Sequence, residues 1–203
     1  MTFLCSVPLN PLRSGAQRLL AHPQRMHAAV EGVLPPMRSG RLLWRLERSG
    51  PHANLLIVSP DQPTLDHLIE QAGWPGTPGG AARVADMDPL LGQVAVGREF
   101  EFRVRLNPVQ HVPTGPDSRG ERRGHRTLAH QLEWFLGRTV GARAAWGFTV
   151  GEDPATANVT VIEREHLNFR RGGSERPVTL DTATFQGVLT VRDAALMRRS
   201  LVE

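Results

Sequence analysis

The sequence predicts an α+β protein made of two tandem ferredoxin-like β-α-β-β-α-β units, the second lacking its last strand, and three observations predict it. Apolar residues alternate with period two, or run as short apolar blocks, in Thr2–Leu9, Asn54–Ser59 and Arg98–Leu106. Between these segments, and again after residue 127, apolar residues recur at helical spacing. In the first half the two patterns follow one another as strand, helix, strand, strand, helix, strand, an order also used by sheets that recognise RNA.

Thr2–Leu9 is the first expected strand. Pro23 suits the first position of a helix, where its missing N–H costs nothing, and Met26, Val30, Val33 and Leu34 continue that helix's apolar stripe. Arg41–Arg48 reads as a strand with Leu42, Trp44 and Leu46 on one face, turned by Gly50-Pro51 into the strand at Asn54–Ser59. Thr64 is a candidate cap for a short helix carrying Leu65, Leu68 and Ile69. After a Gly/Pro-rich stretch, Arg98–Leu106 places Phe100, Phe102 and Val104 on one face and completes the first unit.

Thr127 opens the next helix, with Leu128, Leu132, Phe135 and Leu136 on one side. Strands are expected at Trp146–Val150 and Asn158–Phe169. Arg170–Pro177 forms a hairpin tip, and Val178–Val191 returns from it. Asp193 caps a last helix bearing Leu196, Met197, Leu201 and Val202. This divides the chain into a first domain at residues 1–108, a flexible basic linker at 109–126 and a second domain at 127–203. The second domain is one element short, so the encoded protein is expected to continue past Glu203 with a glycine-rich stretch and one more strand.

Composition excludes several classes. The chain has 203 residues, and its hydrophobic fraction of 40% is that of a folded globular protein. Its 20 glycines and 16 prolines predict long loops. Cys5 is the single cysteine, which rules out a disulfide framework and a cysteine-built zinc site. The eight histidines include no pair in zinc-ligand spacing with carboxylates, and no metal or cofactor is expected. No segment reaches the roughly 20 apolar residues of a membrane span, and Met1–Pro8 lacks a basic leader, so a cytoplasmic location is expected.

The net charge is only +4, yet all 24 cationic residues are arginine. A guanidinium binds phosphate through a bidentate fork and stacks on bases, which suits RNA. A genome whose base composition favours arginine codons explains the absence of lysine equally well.

Four segments carry a resemblance: Met26-His27, Arg41-Leu-Leu-Trp-Arg-Leu-Glu47, Phe102-Arg-Val-Arg-Leu-Asn-Pro108 and Phe185-Gln-Gly-Val-Leu-Thr-Val-Arg-Asp193. In this order and at these intervals the chain resembles the CasE family of CRISPR-associated endoribonucleases, from about residue 2 to its end. The resemblance implies two ferredoxin-like domains that bind the stem-loop of the CRISPR repeat and cut precursor RNA at the stem base without metal. It also implies that the protein stays on the mature guide RNA within the Cascade complex, beside other subunits and especially the backbone subunit. Target DNA is then met only through that complex.

His27 is the expected catalytic residue, since an imidazole can move a proton to or from a reacting oxygen near neutral pH. Family members often carry a tyrosine one helical turn earlier. Gln24 occupies that position here, on the same face by i, i+3 spacing, and it can donate a hydrogen bond but cannot ionise. The expected RNA contacts are Arg25 and Arg38 near that helix, and Arg103 and Arg105 on the face opposite Phe102 and Val104. A basic stretch adds Arg119, Arg122, Arg123 and Arg126, and Arg170, Arg171 and Arg176 flank the hairpin tip. An alternative reading is a catalytically weak subunit that caps the RNA within the complex, as the absence of tyrosine allows.

Overall fold

In the computed structural model, every residue is described except 37, 39, 114, 116–119, 141–143, 152, 154, 171–176 and 203, and the backbone alone is described at 170 and 177. The chain divides into two compact units, Met1–Gln93 with the C-terminal end from Leu201, and Val94–Ser200.

The first unit contains β1 (Phe3–Leu9), α1 (Ser14–Ala21), α2 (Pro23–Glu31), β2 (Leu43–Ser49), β3 (His52–Ser59), α3 (Asp66–Ala72), β4 (Arg83–Asp86) and α4 (Asp88–Gly92). Its sheet has the order β2-β3-β1-β4, and every neighbouring pair is antiparallel. That is the ferredoxin-like arrangement expected from the sequence. Alternation explains the core: Cys5, Val7 and Leu9 of β1 and Leu55 and Ile57 of β3 point to one face. Met26 and Val30 of α2, Ala16 and Leu19 of α1, and Leu68 and Ala72 of α3 cover it. Burial pushes the Cys5 thiol up to about 11, which leaves it protonated and inert at neutral pH.

Helix ends in this unit are closed by side chains from elsewhere. The Arg13 guanidinium donates to the carbonyls of Ile69, Glu70 and Gly73 at the end of α3, where the helix dipole favours a cation. His67 Nε2 lies 2.9 Å from the Ala29 carbonyl in the last turn of α2. The expected cap at Thr64 is not made. The residue before α3 is Leu65, without a side-chain cap, and the Thr64 N–H instead donates to the Val33 carbonyl.

The second unit contains β5 (Glu99–Leu106), β6 (Val109–Val112), β7 (Glu121–Gly124), α5 (Leu128–Thr139), β8 (Phe148–Thr149), β9 (Val159–Arg170), β10 (Pro177–Val191) and α6 (Ala194–Val202) up to Ser200. β10 is the central strand. It pairs with β5 on one side and with β9 and β8 on the other, all antiparallel. An aromatic cluster fills the core: Phe135 of α5 stacks on Phe185 at 4.5 Å and on Phe102 at 5.8 Å, with Trp146 at 5.4 Å. Thr127 accepts from the His130 N–H at the start of α5, and Asp193 accepts from the Leu196 N–H at the start of α6, so both expected caps form. Met197 is the buried residue of α6, while Leu196, Leu201 and Val202 are only half-buried.

Three assignments differ from the sequence reading. Arg98–Leu106 does not close the first sheet; β5 pairs with β10, and the short strand β4 takes the closing position beside β1. The first unit therefore ends near Gln93 rather than at residue 108. The segment 109–126 is not simply a linker, because β6 and β7 pair along it from Val109 opposite Gly124 to Val112 opposite Glu121. Among the described residues no helix is long and apolar enough to cross a membrane.

Candidate functional site

Period 3.6 decides what α2 offers to solvent. Met26 and Val30 are buried, so Gln24, Arg25 and His27 fall on the exposed side, with Pro23 opening the helix. His27 has no side-chain hydrogen bond among the described residues, and the same holds for Arg25. An imidazole so placed is open at both ring nitrogens to an incoming ligand. Gln24 stands one turn before it, as the spacing requires, and is itself engaged by a neighbouring group. Arg38 is differently employed: it lies 2.6 Å from the Glu31 carboxylate and donates to the Gly40 carbonyl, fixing the chain that leaves α2. Its charge is largely answered within the protein.

In the second unit, Arg103 and Arg105 lie opposite the aromatic core, as alternation predicts. The structure also shows what surrounds them. Both Nε and Nη2 of Arg103 donate to Gln186 Oε1, its cross-strand partner on β10, at 2.9 and 2.7 Å. Arg105 pairs with the Glu165 carboxylate and donates to Thr182 Oγ1. The register places Glu99, Glu101, Glu163 and Glu165 on this same face. Four carboxylates beside two occupied guanidinium groups make a poor surface for a polyphosphate.

The β6–β7 hairpin is more favourable. Arg122 is exposed and has no partner among the described residues, whereas Arg123 pairs with Glu121 at 2.9 Å with both side chains more than half exposed. An exposed pair of this kind is worth little and exchanges readily for a phosphate. Arg126 is 71% exposed and reaches Asp181 at only 3.5 Å. Arg119, Arg171 and Arg176 lie outside the described residues, and so does the side chain of Arg170, whose backbone ends β9.

One cluster has no signature in the sequence. His166 of β9 faces Asp181 of β10 with Nδ1 2.6 Å from the carboxylate, and Arg126 approaches the other oxygen. The His166 hydrogen bond and then the Arg126 charge hold the Asp181 carboxyl below its usual range, against a desolvation effect that acts the other way. Arg164, two residues along β9 on the same face, donates to the Arg126 carbonyl. Strand register brings Arg164, His166 and Asp181 together, Arg126 joins them from the segment between β7 and α5, and no local spacing announces the set.

A family model described as CRISPR associated protein matches residues 2–203. The structure of Cse3 from Thermus thermophilus, bound to an RNA representing a pre-cleavage complex, superposes with a TM-score of 0.74 at 25% identity, covering 99% of this chain and 90% of that one. A CRISPR endoribonuclease Cse3 bound to a 19-nucleotide RNA gives the same TM-score at 24% identity over 99% and 90% of the two chains. The CRISPR-associated protein Cas6e of Escherichia coli K-12 matches at 0.51 and 19% identity, over 97% and 88%. A comparison with curated protein sequences finds no match.

Proposed function

The chain belongs to the CRISPR-associated protein family, and from that premise we propose that it is an endoribonuclease that binds the CRISPR repeat stem-loop and cuts precursor RNA at the base of the stem. The observation that carries this reading is the exposed His27 on α2, without a partner among the described residues, in a chain that matches the family over residues 2–203. Strand scission without metal needs a 2′-hydroxyl to lose its proton and attack the adjacent phosphorus in line. The P–O bond to the 5′-oxygen breaks, that oxygen takes up a proton, and a cyclic phosphate remains. His27 performs one of the two proton transfers. Gln24 offers an amide donor to the phosphate oxygens, and Arg25 offers charge for the negative transition state.

Affinity comes from arginines with charge to spare. Arg25, Arg122, Arg123 and Arg126 meet phosphates, while Arg103 and Arg105 reach RNA only by exchanging Gln186 and Glu165 for it. Arg38 would have to give up Glu31. Arg119, Arg170, Arg171 and Arg176 belong to the same proposal on sequence grounds. After cleavage the protein stays on the mature guide RNA and joins the other Cascade subunits.

A second reading, a weakly catalytic cap on the RNA, is favoured by one observation: Gln24 cannot ionise, which leaves the other proton transfer without an evident donor or acceptor. Single-turnover assays on repeat RNA, with and without EDTA, separate the two. Cleavage at one site that survives EDTA supports the nuclease; tight binding with no product supports the cap. Cleavage abolished by EDTA overturns the metal-free mechanism.

A further inference from the structure

Away from α2, the first unit has an open pocket of about 430 Å³ beside β1, β3 and β4. Its walls come from the solvent side of the sheet and from the loop that leads into β4. Ser6 and Asn54 contribute from β1 and β3, Arg83 from β4, Trp74 and Pro78 from the loop, and His52 from the start of β3. The volume falls within the range of small-molecule sites, about 300–1,000 Å³.

Three features of this pocket point to one occupant. The Trp74 indole, half-buried, supplies an aromatic wall on which any base can stack. Ser6 Oγ donates to Asn54 Oδ1 at 3.1 Å, and this bond leaves both Asn54 amide hydrogens and the Ser6 lone pairs unspent. Together they form an edge with donors and acceptors, as a base edge requires. Arg83 is exposed and has no partner among the described residues, and no aspartate or glutamate lines the pocket. A cation without a carboxylate beside it suits a phosphate. The open mouth lets a chain enter and leave.

We infer that this pocket binds one unpaired ribonucleotide of the RNA strand flanking the stem, its base stacked on Trp74 and its phosphate on Arg83. The inference rests on the RNA-processing reading and extends it from the stem to the single strand beside it. Pocket and candidate histidine are separate features of the same unit.

The test measures binding by fluorescence anisotropy, using the stem-loop alone and the stem-loop extended by single-stranded nucleotides on either side in turn. One extension is expected to raise affinity about fivefold or more, the range in which a single stacked base contributes. Trp74→Ala and Arg83→Gln should each remove that gain and leave stem-loop binding unchanged, and Trp74→Phe should retain it. Arg83→Gln guards against misfolding, since its side chain stands exposed on an edge strand. Extensions that add nothing to stem-loop affinity overturn this inference alone, as does a gain that survives Trp74→Ala and Arg83→Gln, or an equal loss by Arg83→Gln on both RNAs. Free nucleoside monophosphate that competes away the gain at equal concentration overturns the assignment to a strand. Failure to bind the stem-loop at all removes the RNA-processing reading, and this inference with it.

Discussion

His27 stands on the exposed side of α2 with its ring unengaged by any described residue, so its removal should cost chemistry and not folding. His27→Ala is expected to slow single-turnover cleavage about 10²–10⁴-fold, the usual worth of a positioned proton donor or acceptor. Stem-loop affinity and the urea midpoint should stay near wild type, and cleavage at the wild-type rate would remove His27 from the mechanism. The helical period at Pro23, Met26 and Val30 was enough to place this residue. Asp181 could not be placed that way, because its partner His166 lies across a strand register that one sequence does not display. Its carboxyl titrates lower in the folded protein than in the unfolded chain, so its contribution to stability is present above the unfolded value of about 4 and is lost as pH falls through the folded value. Urea unfolding between pH 2.5 and 6 should show wild type weakening toward acid. Asp181→Asn should flatten that acid limb, and an unchanged limb would mean the pair adds nothing.

The strands that the sequence displayed well are those with one buried face. β1 and β3 alternate because one side meets α1, α2 and α3, and β5 alternates because Phe102 packs under Phe135. β4 gave no such signal: Arg83, Val84, Ala85 and Asp86 are all exposed, since the strand sits at the sheet edge beyond its core. Without that signal, the alternation of Arg98–Leu106 looks like the closing strand of the first sheet, although it pairs with β10 in the second. α1 carries little sequence signal for a related reason. Only Ala16 and Leu19 are buried in its eight residues, too few to set a period. Gly187, within one of the four segments of resemblance, has a packing reason the sequence could not state. A methyl there would overlap the Asn158 carbonyl oxygen, which accepts the Val188 N–H at 3.0 Å. Gly187→Ala should therefore destabilise the second unit by about 1–3 kcal/mol, as overpacking does. An unchanged denaturation midpoint would show that β9 can move aside there.

At the scale of the whole chain, composition pointed to phosphate but could not say which cations were available for it. A net charge of +4 carried by 24 arginines and 20 acids is a small residue of a large cancellation. The structure shows where part of that cancellation occurs: Arg38 with Glu31, Arg45 with Glu47 and Arg105 with Glu165. Such groups add little to an RNA's attraction, because a phosphate must first displace a carboxylate at hydrogen-bond distance. Among the described residues Arg122 carries no such burden, and Arg123 and Arg126 hold theirs loosely. The salt dependence of binding separates the two groups, since each phosphate neutralised releases counterions and steepens the log–log slope by about 0.7 on a single strand and 0.9 on a duplex. Arg122→Ala should flatten the slope for the repeat stem-loop by about one such step. Arg105→Ala should leave the slope near its wild-type value while lowering stability through the stranded Glu165. Equal slope changes in the two variants would mean that RNA opens the Arg105–Glu165 pair on binding. The four-glutamate face of the second sheet would then be part of the RNA surface after all.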